Sequence, residues 1–171
     1  LEPLAIQIME QKKHITPNDL SRFVCELYDS VERVIEGVMD IIAEEVAQMV
    51  EIRDFLRDNY LNYGKLVSKK SKKEDEEQKY VDYYDYNEPV NKTKSHRVLA
   101  VFRGTDEGIL KSGVQIDDDY IIRYIKKKLL KGYGENQRIY GDAIEDSFKR
   151  LLHPSIENET LKELKEKADL D

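Results

Sequence analysis

Cysteine and long apolar runs are both scarce in this sequence of 171 residues. Its single cysteine, Cys25, cannot form a disulfide within the chain, which favours a reducing compartment, the cytoplasm. Because no histidine or second cysteine lies near it in sequence, we expect Cys25 to be a small buried side chain. No apolar run approaches the ~18 residues that span a bilayer, and no signal-peptide pattern opens the chain. The sequence therefore predicts no membrane insertion.

Residue types that build catalytic and metal sites are present but scattered. The three histidines, His14, His96 and His153, are isolated from one another. The run Asp117-Asp118-Asp119 is consecutive, whereas a calcium loop alternates its carboxylates and carries a glycine. We interpret this run as the acidic start of a helix. The sequence predicts no metal site, no cofactor and no catalytic residue, and hence a protein that is not an enzyme.

Charged residues are abundant, at 37% of the chain, beside 40% hydrophobic residues. This balance favours ordered helices with heavily solvated faces over disorder. The net charge is −7, so the chain as a whole repels phosphate and anionic lipid. Any contact with nucleic acid must come from a local basic patch.

Apolar residues at three- and four-residue steps predict a mainly α fold, a multi-helix bundle with at most a short two-stranded β element. We divide the chain into a helical hairpin or bundle (1–63), a middle segment (64–117) and C-terminal helices that lead to a missing domain (118–171). Residues 20–50 are expected to form one long or two broken helices, with Gly37 as the weak point. The chain opens at Leu1 and looks helical there, so we expect it to be part of a longer protein.

The regular helical spacing of apolar residues ends in the middle segment. This segment contains a short strand near Leu66, an exposed charged loop, and a second strand within 109–116 that could pair with the first. Four tyrosines between Tyr80 and Tyr86 either pack beneath the loop or stack on bases. Ser95 is expected to cap a short buried helix that Gly104 ends.

In the C-terminal segment, acidic residues at the start, lysines at the end and the following Gly132 predict a helix. Another helix is predicted from about Asp142 to Leu152, ended by Pro154. A last helix is expected from Asn158 to about Ala168.

Three groups of basic residues are the candidate nucleic-acid contacts. Clustered lysines can contact phosphates without regard to base sequence. The alternative is that the first group is a solvated loop neutralised by the glutamates that follow it. The groups are Lys69, Lys70, Lys72 and Lys73; Lys126, Lys127 and Lys128; and His96, Arg97 and Arg103 around the predicted buried helix.

Several strings resemble the Tex family of bacterial transcription accessory proteins, in order and spacing, across nearly the whole chain. The strings are Asp40 to Glu45, Ser68-Lys69, Lys79 to Tyr84, Glu88-Pro89, Ser95 to Gly104, Glu107 to Leu110, and Pro154 to Ile156. The resemblance implies a parent with a ribonuclease H-like domain thought to be inactive, followed by helix-hairpin-helix and OB-fold modules that bind nucleic acid. It also implies that this chain stops just short of the ribonuclease H-like domain.

Two function hypotheses follow. The first is a non-catalytic helical segment of a transcription accessory protein, whose full-length parent binds RNA or DNA and possesses partners in the transcription machinery. The second is a helical protein–protein scaffold with no nucleic-acid contact of its own. An enzyme built on the acidic clusters is a distant third hypothesis.

Overall fold

Helices account for most of the chain in the computed structural model, which describes residues 1–171. This confirms the prediction of a mainly α fold. The helices are α1 (Glu2–Glu10), α2 (Pro17–Ser21), α3 (Val31–Ala47), α4 (Val50–Tyr63), α5 (Ser95–Asp106), α6 (Asp118–Leu129), α7 (Glu135–Asp146) and α8 (His153–Leu170). The strands are β1 (Lys65–Lys70), β2 (Asp85–Pro89) and β3 (Leu110–Gln115).

The chain forms two compact units, each built from two separate segments. Unit 1 contains Leu1–Arg53 and Asp118–Pro154, and unit 2 contains Asp54–Asp117 and Ser155–Asp171. The sequence instead predicts three contiguous ranges, because local patterns cannot indicate which distant segments pack together.

Unit 1 is organised around α3, which packs against α1, α2, α7 and the residues that follow α7. Ser30 begins α3, because its side chain accepts a hydrogen bond from the Arg33 amide. Buried residues then recur every four positions along one face of the helix, where they supply much of the apolar core. They are Val34, Val38, Ile42 and Val46.

The stretch predicted as one or two helices is broken earlier than expected. The capping box of Thr16 and Asp19 does start a helix, but α2 ends at Ser21. Residues 22–30 are irregular, and Leu27 is 85% exposed. Cys25 in this segment is exposed, so its predicted burial was wrong. Gly37 lies inside α3 and does not interrupt it.

Unit 2 contains a three-stranded antiparallel sheet in the order β2-β1-β3. The two predicted strands, β1 and β3, are confirmed, and they pair as expected. The sheet has one strand more than predicted. The sequence of β2, Asp-Tyr-Asn-Glu-Pro, is rich in residues that strands disfavour, so neither propensity nor alternation reveals it. Its proline lies at the strand end, where a missing amide is tolerated.

Helix α5 is half-buried, which corrects the prediction of a fully buried helix. Val98, Val101 and Gly104 are buried, whereas Phe102 is only partly so. The side chain of Ser95 does not cap the helix. Nor does Gly104 end it, because α5 continues to Asp106.

The C-terminal helices are longer and more continuous than predicted. Acidic residues at its start and lysines at its end do define α6. Helix α7 begins at Glu135 and passes through a π-helical segment, Ser147–Leu152, directly into α8. Pro154 does not end the helix. A wider π turn directly precedes Pro154, and in this turn the His153 amide donates to the Phe148 carbonyl. The wider turn relaxes the steric clash that a proline ring causes in a regular α-helix.

Candidate nucleic-acid interface

The charged loop after β1 is organised around one buried carboxylate, Asp75. It accepts hydrogen bonds from the amides of Lys79 (3.1 Å) and Tyr80 (2.8 Å) and from the Tyr84 hydroxyl (2.9 Å). Burial alone raises the pKa of Asp75, but the hydrogen bonds from Tyr80, Tyr84 and Lys79 together lower it below its ordinary value. The loop is therefore a folded turn and not only a solvated tail.

The tyrosines beside this loop pack beneath it. Tyr80 lies in a small buried cluster with Ile109 and Leu110, and Tyr83 and Tyr84 pack against that cluster. Burial raises the pKa of Tyr80 to about 12. The packing interpretation of the tyrosines is thus confirmed for Tyr80.

Two of the four predicted loop lysines hold the loop in place. The Lys73 ammonium donates to the Glu107 carbonyl (2.6 Å), and the Lys70 ammonium donates to the Lys73 carbonyl (2.9 Å). Lys70 also lies 5.7 Å from the ring centre of Tyr84, a cation–π contact. Lys69 and Lys72 are exposed and make neither contact.

The sheet adds two lysines that sequence reasoning missed. In the strand register Lys69 lies opposite Lys111 on β3 and Asp85 on β2. Residues directly opposite each other in a sheet lie on the same face, so Lys69 and Lys111 share a face. Residues two or four positions apart along a strand also share a face, so Lys65 lies on the same face as Lys69. We call Lys65, Lys69 and Lys111 the lysine face. All three are exposed, and none forms an ion pair. The alternation of β1 could have indicated Lys65, but Lys111 depends on a long-range register.

The basic residues of α5 are divided in their roles. Arg97 donates to Glu88 at 2.6 Å, and Glu88 also accepts from the Tyr86 hydroxyl at 2.5 Å. Burial, followed by this bond to Glu88, raises the pKa of Tyr86. Arg97 is therefore committed to a structural network. His96 and Arg103 are exposed on the same helix.

The lysine cluster of α6 lies in unit 1 and is mostly neutralised. Lys126 pairs with Glu145 at 2.9 Å, and Lys128 pairs with Glu51 at 3.1 Å. Lys127 between them is exposed and forms no ion pair. Of this predicted cluster, one lysine retains an uncompensated charge.

The structure contains no group of three or more histidine, cysteine, aspartate or glutamate side chains that could hold a metal ion. None of its helices is both long enough and apolar enough to cross a membrane.

Comparisons with known proteins place these features in a family. The family model described as Tex central region-like matches residues 14–171. The uncharacterized protein YdcI of Bacillus subtilis is 38% identical over 99% of this chain and 24% of its own length. The transcriptional accessory protein Tex of Neisseria gonorrhoeae is 28% identical over 100% of this chain and 24% of its own length. Protein YhgF of Escherichia coli is 31% identical over 70% of this chain.

The chain thus spans about a quarter of the length of the first two relatives. The match to the family model covers all the elements of the fold except α1. The strings singled out in the sequence, from Asp40 to Ile156, all lie within the matched range. This chain belongs to the Tex family, of which it contains the central region.

Proposed function

We propose that this chain is a non-catalytic region of a cytoplasmic transcription accessory protein, and that it contacts the phosphate backbone of nucleic acid weakly and without sequence preference. The whole protein would bind RNA or DNA and act with the transcription machinery. The observation that carries the proposal is the lysine face, three unpaired ammonium groups on one side of a small sheet in a chain of net charge −7.

The electrostatics of the lysine face favour an anion. Lys69 and Lys111 are directly opposite each other, and like charges in that position destabilise a sheet. Asp85 on the other side of Lys69 offsets part of this repulsion, and so does the Glu157 carboxylate, which lies beside Gly113, two residues from Lys111. A phosphate between the two ammonium groups would relieve the rest. The contact would be salt-dependent, because each neutralised phosphate releases counterions.

The binding test compares labelled duplex and single-stranded oligonucleotides by fluorescence anisotropy at several KCl concentrations. The variant replaces Lys65, Lys69 and Lys111 with glutamine. The slope of log affinity against log salt should flatten by roughly 0.7 to 0.9 for each phosphate that the variant no longer neutralises. A matched control replaces Lys162, Lys165 and Lys167, exposed residues of α8 in the same unit, and removes the same charge.

An unchanged slope in the lysine-face variant would refute phosphate contact at that face. Equal changes of slope in the lysine-face variant and the control would mean that only the overall charge of the chain affects binding.

The proposal that the chain is non-catalytic is tested by incubating it with Mg²⁺ or Mn²⁺ and labelled RNA or DNA, which should stay intact. Cleavage that survives repurification and is lost on replacing Asp117, Asp118 and Asp119 with asparagine would overturn it.

One observation favours the alternative, a protein–protein scaffold. A cleft of about 500 Å³ in unit 1 is lined by Ile6, Met9, Ile41 and Met49 and carries three glutamates and no basic residue. The glutamates are Glu2, Glu10 and Glu45. Methionine-lined clefts adapt to varied apolar partners, and an amphipathic helix with lysine or arginine beside its apolar ridge would match this charge. Replacing Ile6 with aspartate should abolish capture of a leucine–lysine helical peptide without changing the helical content of the chain.

A further inference from the structure

Two segments of unit 1 that are far apart in sequence are joined by side-chain hydrogen bonds. The Gln11 side chain, just after α1, donates to the Leu129 carbonyl at 2.8 Å and accepts from the Lys131 amide at 2.7 Å. The Asn136 side chain donates to the Lys13 carbonyl at 3.0 Å. These bonds hold the end of α1 beside the turn that connects α6 with α7.

Basic residues from both segments therefore meet at one place. Lys12 and Lys13 follow Gln11, and Lys131 begins the turn, while Lys127 lies in the last turn of α6. All four are exposed, and none forms an ion pair. We call these four lysines, together with Tyr133 in the turn, the basic corner.

The carboxylates near the basic corner are largely engaged elsewhere. Glu135 is bound by Arg138, which also pairs with Asp142 at 3.2 Å. Asp19 caps α2, and the hydrogen bonds from Thr16, followed by the charges of Lys13 and Arg22, lower its pKa. Glu10, exposed at the end of α1, and Asp19 offset part of this charge, but the four lysines leave a local excess of positive charge within a chain that is acidic as a whole.

Tyr133 is the most exposed large hydrophobic side chain of the molecule, at 101% of the reference surface. It lies between Gly132 and Gly134, whose φ angles are 79° and 137°. Those values belong to backbone regions that side chains disfavour, so the turn depends on its glycines and projects the ring between them. A fully solvated aromatic ring adds no burial energy to the fold. An exposed ring beside unpaired lysines is instead the arrangement of a stacking platform for nucleic-acid bases.

We propose that the basic corner binds single-stranded nucleic acid, with phosphates at Lys12, Lys13 and Lys131 and one base stacked on Tyr133. This inference rests on the proposed function, which it extends from unit 2 to unit 1. A single strand is favoured over a duplex because only an unpaired base can leave its neighbours and stack on a protein ring. Lysines that contact phosphates read no sequence, so the site would accept many sequences.

The absence of tryptophan from the chain provides a direct test. Tyr133→Trp installs the only tryptophan, and its fluorescence reports stacking. A twelve-residue oligouridylate, and an oligothymidylate of equal length, should quench this fluorescence, whereas a blunt-ended duplex of two complementary strands, which has no unpaired base, should not. Leu170→Trp is the matched control, because Leu170 is 88% exposed at the end of α8 and belongs to neither the basic corner nor the lysine face, so its fluorescence should not change.

Affinity measured by anisotropy of the labelled strand gives the second readout. Tyr133→Ala should weaken single-strand binding roughly fivefold or more, as base–aromatic stacking does elsewhere, and Tyr133→Phe should preserve it. Glutamine at Lys12, Lys13 and Lys131 should weaken binding and flatten its salt dependence. Circular dichroism spectra identical to the parent chain confirm that each variant is folded.

The outcomes separate this inference from the proposed function. Binding that depends on the lysine face, with no quenching at position 133, would refute the basic corner and leave the proposed function standing. Quenching that is equal for duplex and single strand would refute the stacking. Quenching by an acidic peptide of poly-glutamate but not by oligonucleotides would show a protein site and refute the inference as stated. Quenching at 133 without any effect of the lysine face would support the corner while refuting the proposed phosphate contact in unit 2.

Discussion

A glycine-to-alanine substitution at position 104 tests the packing of unit 2, because two effects of opposite sign compete there. Gly104 lies in α5, and alanine in place of glycine stabilises a helix interior by about 1 kcal/mol. This gain in stability is smaller at Gly104, because the residue lies in the last turn of α5. A Cβ at this position, however, would lie 2.5 Å from Cδ1 and 2.8 Å from Cγ of Leu110, and 3.1 Å from a ring carbon of Tyr80.

Packing should win this competition. Leu110 is 2% exposed and Tyr80 is 3% exposed, so neither can move aside into solvent. Overpacking of this kind costs about 1–3 kcal/mol. Gly104→Ala should therefore lower the free energy of unfolding, by roughly 1 kcal/mol net of the helix gain.

The assay is urea unfolding followed by circular dichroism, with Gly141→Ala as the matched control. Gly141 lies within α7, and the nearest atom to a Cβ there is 3.6 Å away, so alanine should stabilise by up to about 1 kcal/mol. In a Leu110→Ala background the Gly104→Ala change should be much less destabilising, because the two closest contacts are removed and only the 3.1 Å contact with Tyr80 remains. If Gly104→Ala raises the urea midpoint as Gly141→Ala does, Leu110 does not pack closely against Gly104 and the reasoning is refuted.

Two further predictions concern the charged loop and the irregular segment after α2. The pKa of Asp75 in the folded chain lies below its ordinary value. The ionised carboxylate therefore stabilises the fold at every pH above that ordinary pKa, and this stabilisation is lost as the pH falls through the folded pKa. The difference in urea midpoint between wild type and Asp75→Asn should thus be present at pH 7 and shrink below about pH 4. A difference that stays constant with pH would contradict the assignment of Asp75 as an ionised, hydrogen-bonded carboxylate. Cys25 is exposed, so a thiol reagent should modify it in native buffer without a lag; reaction only in denaturant would show that it is buried.

The helices were predictable wherever the apolar period was regular. The residues Val34, Val38, Ile42 and Val46 give α3 from sequence alone, and the charges at both ends of α6 give its limits. The errors arose where a local rule was overridden. Phe23 to Leu27 continues the apolar pattern but leaves Leu27 in solvent, and Pro154 follows a π turn that lets the helix continue.

The candidate site was less predictable than the fold, because the compensation of a charge depends on distant residues. Lys128 is neutralised by Glu51, which lies far earlier in the sequence, at the start of α4. Lys69 lies beside Lys111 only because of the strand register. Lys12 lies near Lys131 because the neighbouring Gln11 side chain bonds to the chain at the end of α6, at Leu129 and Lys131. No local pattern contains this information.

The string that most specifically resembles the Tex family, Ser95 to Leu110, has an architectural role in this structure. Val98, Val101 and Gly104 form the buried side of α5, and the gap left by Gly104 receives Leu110. Gly108, with φ of 79°, reverses the chain so that Ile109 and Leu110 enter the core, and β3 begins at Leu110. A string used in this way identifies the fold and says little about chemistry. The string also carries the exposed residues His96 and Arg103, but the clustered lysines without ion pairs lie elsewhere, on the lysine face and the basic corner. Experiments on function should therefore begin there and not with the family signature.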